Sequence, residues 1–382
     1  MYEVSIHIKK GFEKERQVEK MKKTYVVSAK RSAIGSFLGS LTTVKPVDLG
    51  ATVVKALLED AHVAPENVDE LLCGNVLSAG LGQNIGRQVA LAAGIPESVC
   101  SHSVNMVCGS GLRTVMEGVM SIQTGFNDIV VAGGVESMSG APYLIPANTR
   151  TGNKMGDFKC TDHMIYDALT DAMNGIHMGV TAENIAKKYN ITREMQDEFG
   201  YASQQKAIAA VDSGRFKDEI VPVEVKLRKE TVIFDTDEHP NRKSTPEKMA
   251  KLRPAFIKDG TVTAANASGI NDGASFVLLA SEDAVAKYNL TPICEVIGIG
   301  QGGVDPLTMC LGPTPAIRHA LNYAGLKLQD IELVELNEAF AAQSLGVIHE
   351  LVEEHGIDRE EFMNKTNVNG GAIALRSEER RV

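Results

Sequence analysis

The chain has 382 residues, with 39 Lys and Arg against 49 Asp and Glu, so its formal net charge is −10. This acidic balance disfavours a nucleic-acid partner, and no apolar run approaches the ~18 residues of a membrane-spanning helix, which disfavours a membrane partner. Hydrophobic residues make up 43% and charged residues 23% of the chain, which is typical of a globular protein and argues against disorder and coiled coil.

The N-terminal segment, residues 1–20, has mixed charge and lacks the apolar core of a signal peptide. We interpret it as an N-terminal extension, with Met21 as an alternative or true start. A disordered or loosely docked tail fits the same pattern equally well. The six Cys residues of the chain include no C-x-x-C pair, which predicts free thiols, a reducing compartment and hence a cytoplasmic location.

Short β-rich runs alternate with helical stretches from Thr24 onward, which predicts an α/β protein. Thr192 is predicted to cap one of the helices and Gly214 to end it. The predicted strands cover residues 25–29, 70–77, 128–134, 275–280 and 293–300, and residues 101–104 form a short β-like run. The predicted helices cover residues 47–61, 109–124, 181–190, 192–212, 314–324 and 338–353.

A different texture marks residues 139–265, which are richer in polar loops, Met and Pro than the sequence on either side. This stretch is interpreted as an insertion between two α/β portions. Long insertions of this kind usually cover a functional site.

The densest motif is NMVCGSGLR at residues 105–113, between a β-like run and a helix. A Cys at this place feels the positive end of the helix dipole, which lowers its pKa and favours the nucleophilic thiolate. Gly109 and Gly111 leave room for a substrate carbonyl, so the turn could also donate to an oxyanion. From spacing alone, a buried Cys beside a tight turn is the better interpretation of Cys108, and a nucleophile is the alternative.

Two other motifs indicate no site. Residues 80–86 do not complete a G-x-G-x-x-G pattern and have no acidic partner for a ribose, which disfavours a nicotinamide site. The acidic run at residues 235–239 suggests a metal, but clustered loop carboxylates are usually solvated, so no metal site is predicted there.

Ten segments of the chain, taken in order, resemble the thiolase family, and most closely its short-chain biosynthetic type, the acetyl-CoA C-acetyltransferases. The resemblance covers roughly residues 21–375. The segments are MKKTYVVSAKRSAIGSFLGSL, GNVLSAGLGQNIGRQVAL, NMVCGSGLR, VVAGGVESMS, HMGVTAEN, DEHP, KLRPAF, TVTAANASGINDGAS, NEAFAAQSL and NVNGGAIAL.

The resemblance implies a thiolase fold of two similar βαβαβαββ halves in five layers, αβαβα. Residues 21–138 and 266–289 would form the N-terminal half and residues 139–265 a loop domain over the active site. The C-terminal half would be residues 290–382.

The implied reaction is a reversible, ping-pong Claisen condensation of two acetyl-CoA molecules to acetoacetyl-CoA and CoA. Cys108 matches the family's acyl-accepting nucleophile. Asn337 matches the Asn that holds a water in an oxyanion hole. Taken alone, Asn337 fits better as a cap of the helix predicted to begin near Glu338. The resemblance instead favours the oxyanion-hole role.

The resemblance also implies a coenzyme A site. His177 would contact the pantetheine arm, Met178 would restrict the acyl pocket, and Ser268 would hydrogen-bond the pantetheine; alone, His177 fits a loop His and Ser268 a turn Ser. Arg242, offset by one from the family's Arg, is a candidate for the nucleotide phosphates. Ala267, Ala339 and Phe340 complete the expected substrate contacts, and Ala265 stands where relatives commonly have Gly.

The end of the chain departs from the family pattern. Relatives continue after Leu375 with Gly-His-Pro, whose His is a base, and later carry a second catalytic Cys; here Ser377 takes the place of the His. We therefore expect an incomplete second half, through a frame shift after Leu375 or a truncated paralogue, and an inactive chain. A remnant that binds CoA or pairs with an intact subunit is the alternative.

A related condensing enzyme, such as a ketoacyl synthase, is disfavoured by HMGVTAEN and NEAFAAQSL. The thiolase resemblance implies acetyl-CoA and acetoacetyl-CoA as small-molecule partners and a homotetramer. It implies no cofactor and no catalytic metal, with coenzyme A as substrate and product only.

Overall fold

A computed structural model describes residues 21–375, and its centre is an eight-stranded sheet. The order along the sheet is β12-β1-β11-β5-β3-β4, with β2 paired to β11 and β8 paired to β1. The strands are β1 Thr24–Ser32, β2 Gly35–Ser36, β3 Glu70–Gly74, β4 Cys100–Val104, β5 Ile129–Ser137, β6 Tyr143–Leu144, β7 Thr161–Asp162, β8 Ile220–Val221, β9 Val223–Lys226, β10 Thr231–Phe234, β11 Asn271–Ser281 and β12 Cys294–Glu295.

Helices cover both faces of the sheet and build most of the second half. They are α1 Pro46–Asp60, α2 Ile85–Ala92, α3 Ser110–Gln123, α4 Met178–Lys188, α5 Arg193–Asp212, α6 Pro246–Met249, α7 Glu282–Tyr288, α8 Pro313–Ala324, α9 Ala341–His355 and α10 Arg359–Asn364. Among residues 21–375, none of them is long and apolar enough to cross a bilayer.

Alternate side chains of a strand point to opposite sides of the sheet. The central strands are buried on both faces because helices cover both sides. β5 and β11 are buried along their whole lengths. Leu71, Val131 and Leu278 pack with α1 and α2 on one face. On the other face, Leu72 and Val130 pack with α3.

The sheet is mixed, which sets the position of the candidate nucleophile. β11 is antiparallel to β1 and β5, whereas β3 is parallel to β4 and β5. The carboxyl ends of β3, β4 and β5 therefore lie at the same end of the sheet. From this end the chain enters the 105–109 turn and then α3.

The prediction of a strand over residues 293–300 is wrong beyond Cys294–Glu295. The chain instead lies against α8, so closely that a Cβ at Gly300 would collide with the helix backbone at Ala316 and Ala320. In the same half, Val334 makes an isolated parallel bridge with Thr366.

Several predicted helix boundaries are confirmed and others shift. The Thr192 side chain accepts the Met195 N–H, as an N-cap should, and Gly214 follows α5 with φ of +74°. The predicted helix at 181–190 begins at Met178, because His177 caps it. The predicted helix at 338–353 begins at Ala341, because the preceding residues pair with another segment.

The prediction that the acidic run at 235–239 is solvated is wrong for Asp237. Its side chain is buried and receives both terminal nitrogens of Arg31, at 2.7 and 2.9 Å, together with the Ile34 N–H at 2.8 Å. The adjacent Glu238 accepts the Ser36 N–H. Both carboxylates fasten the insertion to the chain at and after β1, and Asp237 is buried because its charge is paired there, whereas Glu238 stays exposed.

Candidate active site

Cys108 lies in a tight turn just before α3 and is partly exposed. Its neighbour Val107 has φ of +48°, a left-handed conformation that a β-branched residue rarely adopts. The turn is fixed from within, since the Ser110 hydroxyl accepts the Met106 N–H at 2.9 Å and donates to the Val107 carbonyl at 2.6 Å. The thiol is therefore held on a strained turn at the head of a helix.

The floor of this turn is the end of β3. A Cβ at Gly74 would lie 2.8 Å from the Ser110 carbonyl carbon, so only Gly allows α3 to approach β3 this closely. The following residue, Asn75, donates its side-chain N–H to the Val135 carbonyl and to Glu136, both at 3.0 Å. Glu136 is buried and also accepts the Val76 N–H at 2.9 Å, which fixes the chain beneath Cys108.

A second group of candidate residues gathers around Phe256. The His177 ring stacks on Phe256 with centroids 4.6 Å apart, and Phe256 meets Phe340 edge-on at 5.9 Å. A Cβ at Gly179 would collide with the Phe256 ring, so this Gly makes the stack possible. His177 Nδ1 accepts the Gly179 N–H at 3.0 Å, and burial lowers the pKa of His177, which favours its neutral form.

The segment at 266–268 runs antiparallel to the segment at 339–341. The Ser268 N–H donates to the Ala339 carbonyl at 3.0 Å, and the Ala341 N–H donates to the Asn266 carbonyl at 2.8 Å. Ala267 forms the bridge to Phe340 between these two bonds. The structure thus brings together Ala267, Ser268, Ala339 and Phe340, four of the residues expected to contact substrate.

Asn337 precedes this pairing and does not cap α9, which begins at Ala341. Its Oδ1 atom is buried and has no hydrogen-bond partner among residues 21–375. Buried polar atoms are usually paired, so an open acceptor at this place is suited to a water or a ligand donor.

The neighbouring Glu338 is buried and anchors the segment. Its carboxylate accepts the Ser203 hydroxyl at 2.7 Å, an Asn367 side-chain N–H at 2.7 Å and the Ile373 N–H at 3.1 Å. Gly371 packs directly against this carboxylate. Asn337 is therefore attached to two separate parts of the chain, α5 and residues 367–373, through the residue beside it.

Arg242 lies apart from both groups, in an exposed pair with Asp212. The two guanidinium to carboxylate distances are 2.9 and 2.6 Å, and the side chains are 54% and 57% exposed. An exposed pair of this kind contributes little to stability, so the guanidinium is available at low cost. Ala265 is partly buried, and its N–H donates to the Thr263 hydroxyl at 3.3 Å.

Sequence reasoning missed Phe256 and the buried carboxylates Glu136, Glu183 and Glu338. Phe256 lies in KLRPAF and Glu338 in NEAF, so both were inside recognised segments, but nothing in the sequence shows which side chains turn inward. No group of three or more His, Cys, Asp or Glu suited to a metal ion is found in the described part of the chain.

Two family models match the chain. The thiolase N-terminal domain matches residues 24–283 and the thiolase C-terminal domain matches residues 290–377. With both domains matched, the prediction of an incomplete second half is not supported. Its key residue, Ser377, lies outside the described residues.

Curated relatives give the same assignment. The chain is 53% identical over 355 residues to an acetyl-CoA acetyltransferase of Escherichia coli (strain K12), covering 93% of this chain and 88% of that protein. It is 50% identical over 354 residues to the acetyl-CoA acetyltransferase of Syntrophomonas wolfei, covering 92% and 87%.

Solved structures share the fold. The acetyl-CoA acetyltransferase from Syntrophomonas wolfei superposes with a TM-score of 0.90 at 43% identity, covering 94% of this chain and 90% of that one. The human mitochondrial 3-ketoacyl-CoA thiolase gives 0.87 at 43% identity, covering 94% and 89%. The chain belongs to the thiolase family and has its α/β fold.

Proposed function

We propose that this protein is an acetyl-CoA C-acetyltransferase, which joins two acetyl-CoA molecules into acetoacetyl-CoA and CoA and runs the reverse cleavage. The observation that carries the proposal is the strained turn at Val107, which holds Cys108 partly exposed at the head of α3. Backbone strain of this kind concentrates at functional sites. The relatives from Escherichia coli, Thiocystis violacea and Syntrophomonas wolfei are each named acetyl-CoA acetyltransferase, which supports the same reaction.

In the first half-reaction, the Cys108 thiolate attacks the carbonyl carbon of acetyl-CoA, and the CoA thiolate leaves with the bonding electron pair. In the second, a general base takes an α-proton from another acetyl-CoA, the resulting carbanion attacks the acetyl-Cys carbonyl carbon, and the carbon–sulfur bond breaks to release the Cys108 thiolate. A water on Asn337 Oδ1 would donate to the enolate oxygen, which matches the open acceptor at that atom.

Substrate binding is assigned to the group around Phe256. His177 and Ser268 would hold the pantetheine arm, with Met178 limiting the acyl chain. Ala267, Ala339 and Phe340 would form the wall beside it, where the 266–268 and 339–341 segments pair. Arg242 would exchange its exposed Asp212 partner for a nucleotide phosphate.

Intact-mass measurement with acetyl-CoA tests the first half-reaction. We expect the full chain to gain one acetyl group, and the Cys108→Ala variant to gain none. Cys73 serves as an internal control, because burial raises the pKa of its thiol to about 12 and keeps it unreactive. An acetyl group that persists in Cys108→Ala would contradict the assignment.

Complete turnover is a separate measurement. The prediction that this chain is inactive depends on Ser377 standing at the place of the family's His. Ser377 lies outside the described residues, so inactivity stays a prediction. An assay of acetoacetyl-CoA cleavage decides between it and an active enzyme, whereas acetylation of Cys108 tests the nucleophile alone.

We also propose a homotetramer built through the β6–β7 region. Several large apolar side chains are exposed there, more than a monomer usually leaves in water. They are Tyr143 at 69%, Ile145 at 59%, Met155 at 92%, Tyr166 at 63% and Met173 at 79%. Light scattering measures the mass in solution, and a monomer at micromolar concentration would contradict the proposal.

The cytoplasm is the location we propose, since all six Cys residues are free, as a reducing compartment would keep them. The proposed route uses coenzyme A as substrate and product and calls for no other cofactor. Acetylation of Cys108 under reducing conditions, without added metal, is the expected result.

A further inference from the structure

Glu183, on the second turn of α4, is a buried carboxylate with an unusual number of donors. Its Oε1 accepts the N–H groups of Thr261 and Val262, both at 2.8 Å, and its Oε2 accepts the Thr261 N–H at 3.0 Å and the Thr261 hydroxyl at 2.9 Å. All these bonds go to one turn. Glu183 therefore ties α4, which begins beside His177, to the turn at residues 261–262.

That turn leads directly into the segment that carries Ser268. The Thr263 N–H donates to Asn266 Oδ1 at 2.7 Å, and Asn266 Nδ2 donates to the Thr261 carbonyl at 3.1 Å. Asn266 is fully buried, and its carbonyl accepts the Ala341 N–H. A chain of hydrogen bonds from Glu183 through Thr261 and Asn266 thus fixes the position of the 266–268 segment.

The same turn also reaches the Phe256 side of the loop. The Ala255 N–H donates to the Val262 carbonyl at 2.9 Å, which places the next residue, Phe256, against the His177 ring. A Cβ at Gly260 would collide with the Glu183 carboxylate, so the loop fits closely around it. Hydrogen bonds that start at one carboxylate therefore hold both ends of the 255–268 loop in place.

We propose that Glu183 is a positioning residue for the coenzyme A site, setting the 255–268 loop so that His177 and Ser268 address the same pantetheine arm. The inference depends on the proposed function for its ligand. Glu183 does not touch the ligand; it acts through the loop. Replacing it with Gln puts an amide N–H₂ against N–H donors, which leaves buried donors unpaired and frees the turn.

The test is the affinity for CoA, measured by titration calorimetry on the full chain. Glu183→Gln should weaken CoA binding about tenfold or more, the loss expected from one misplaced polar contact. Asp69→Asn is the control, because Asp69, although more exposed than Glu183, also accepts two adjacent backbone N–H groups, from Asp128 and Ile129, both at 2.8 Å. It lies at the amino end of β5, opposite the Cys108 end of the sheet, and should leave CoA affinity unchanged.

Two further variants separate positioning from general loss of structure. Thr261→Val removes the hydroxyl that donates to Glu183 and accepts the Gln196 side-chain N–H, and should weaken CoA binding severalfold if Glu183→Gln fails to fold. His177→Ala removes a proposed contact. Combined with Glu183→Gln, it should cost less than the two single losses together, since both act on one arm.

The outcomes distinguish failure of the positioning role from failure of the proposed function. Equal CoA affinity in wild type, Glu183→Gln and Thr261→Val would overturn the positioning role while leaving the proposed function intact. A loss of affinity equal in Asp69→Asn and Glu183→Gln would also overturn it, because a general structural effect would then suffice. A wild-type chain that binds no CoA would overturn the proposed function and the role together.

Discussion

The two halves of the fold each place an Asn directly after an extended segment, and the two Asn residues differ in how they are held. Asn75 follows β3 and gives its side-chain N–H groups to the Val135 carbonyl and to Glu136. Asn337 follows the segment that pairs with Thr366, and the structure records no such bonds for its side chain within residues 21–375. The Oδ1 atoms of both side chains are buried without a partner in the described chain, so the difference lies in the N–H groups: those of Asn75 are bound to the neighbouring strand, whereas those of Asn337 are not.

The buried carboxylates show the same difference. Glu136 accepts donors from the adjacent residues Asn75, Val76 and Leu77, beside its own strand. Glu338 accepts donors from Ser203 on α5 and from Asn367 and Ile373, two distant parts of the chain. The Asn337 segment has few ladder bonds and depends on these long-range side-chain contacts.

The largest expected effect comes from crowding the second anchor. Gly371→Ala would drive its Cβ into the Glu338 carboxylate, whose three bonds prevent it from moving aside. We expect a loss of about 3 kcal/mol or more in the free energy of unfolding. Gly109→Ala is the counterpart beside Cys108, where the nearest atom to a new Cβ is 3.4 Å away.

Urea unfolding of both variants, followed by circular dichroism, gives the comparison. Gly109→Ala should change the free energy of unfolding by less than about 1 kcal/mol. Similar losses in the two variants would show that the halves tolerate crowding equally.

A medium effect is expected from removing the two amides. Asn75→Ala loses two buried hydrogen bonds and leaves the Val135 carbonyl without this donor, for a cost of about 2 kcal/mol. Asn337→Ala removes a side chain whose Oδ1 has no partner in the described chain and should cost less than about 0.5 kcal/mol. Thermal unfolding measures the stability of both variants. A larger loss of stability in Asn337→Ala than in Asn75→Ala would contradict the proposed difference between the two Asn residues.

The smallest effect is a pH dependence at His177. Burial lowers the pKa of His177 in the folded chain, so the unfolded chain binds the proton first as the pH falls. The free energy of unfolding therefore decreases from pH 7 through the unfolded pKa near 6.5 and on toward the lower folded pKa. His177→Asn keeps a capping acceptor but does not titrate, and should flatten this part of the profile; an unchanged slope would contradict it.

Sequence reasoning found the strands that periodicity defines well, such as β1, β5 and β11, and the turn around Cys108. It failed at residues 293–300, where an apolar β-like pattern is used to pack against α8 rather than to pair. It also placed the start of α9 too early, because the pairing of 339–341 with 266–268 is a contact between distant segments. Asp237 was missed for the same reason, since its Arg31 partner is 206 residues away.

The pairing of β1 with β11 has a consequence for synthesis. Thr24 lies opposite Ser281, so the sheet cannot acquire its central neighbours until nearly three quarters of the chain has been made. At ~5 to 20 residues per second, β1 waits roughly 12 to 50 seconds on the ribosome between its own synthesis and that of β11. During that interval its apolar residues, Val26 and Val27 among them, are a target for chaperones that bind exposed β-segments.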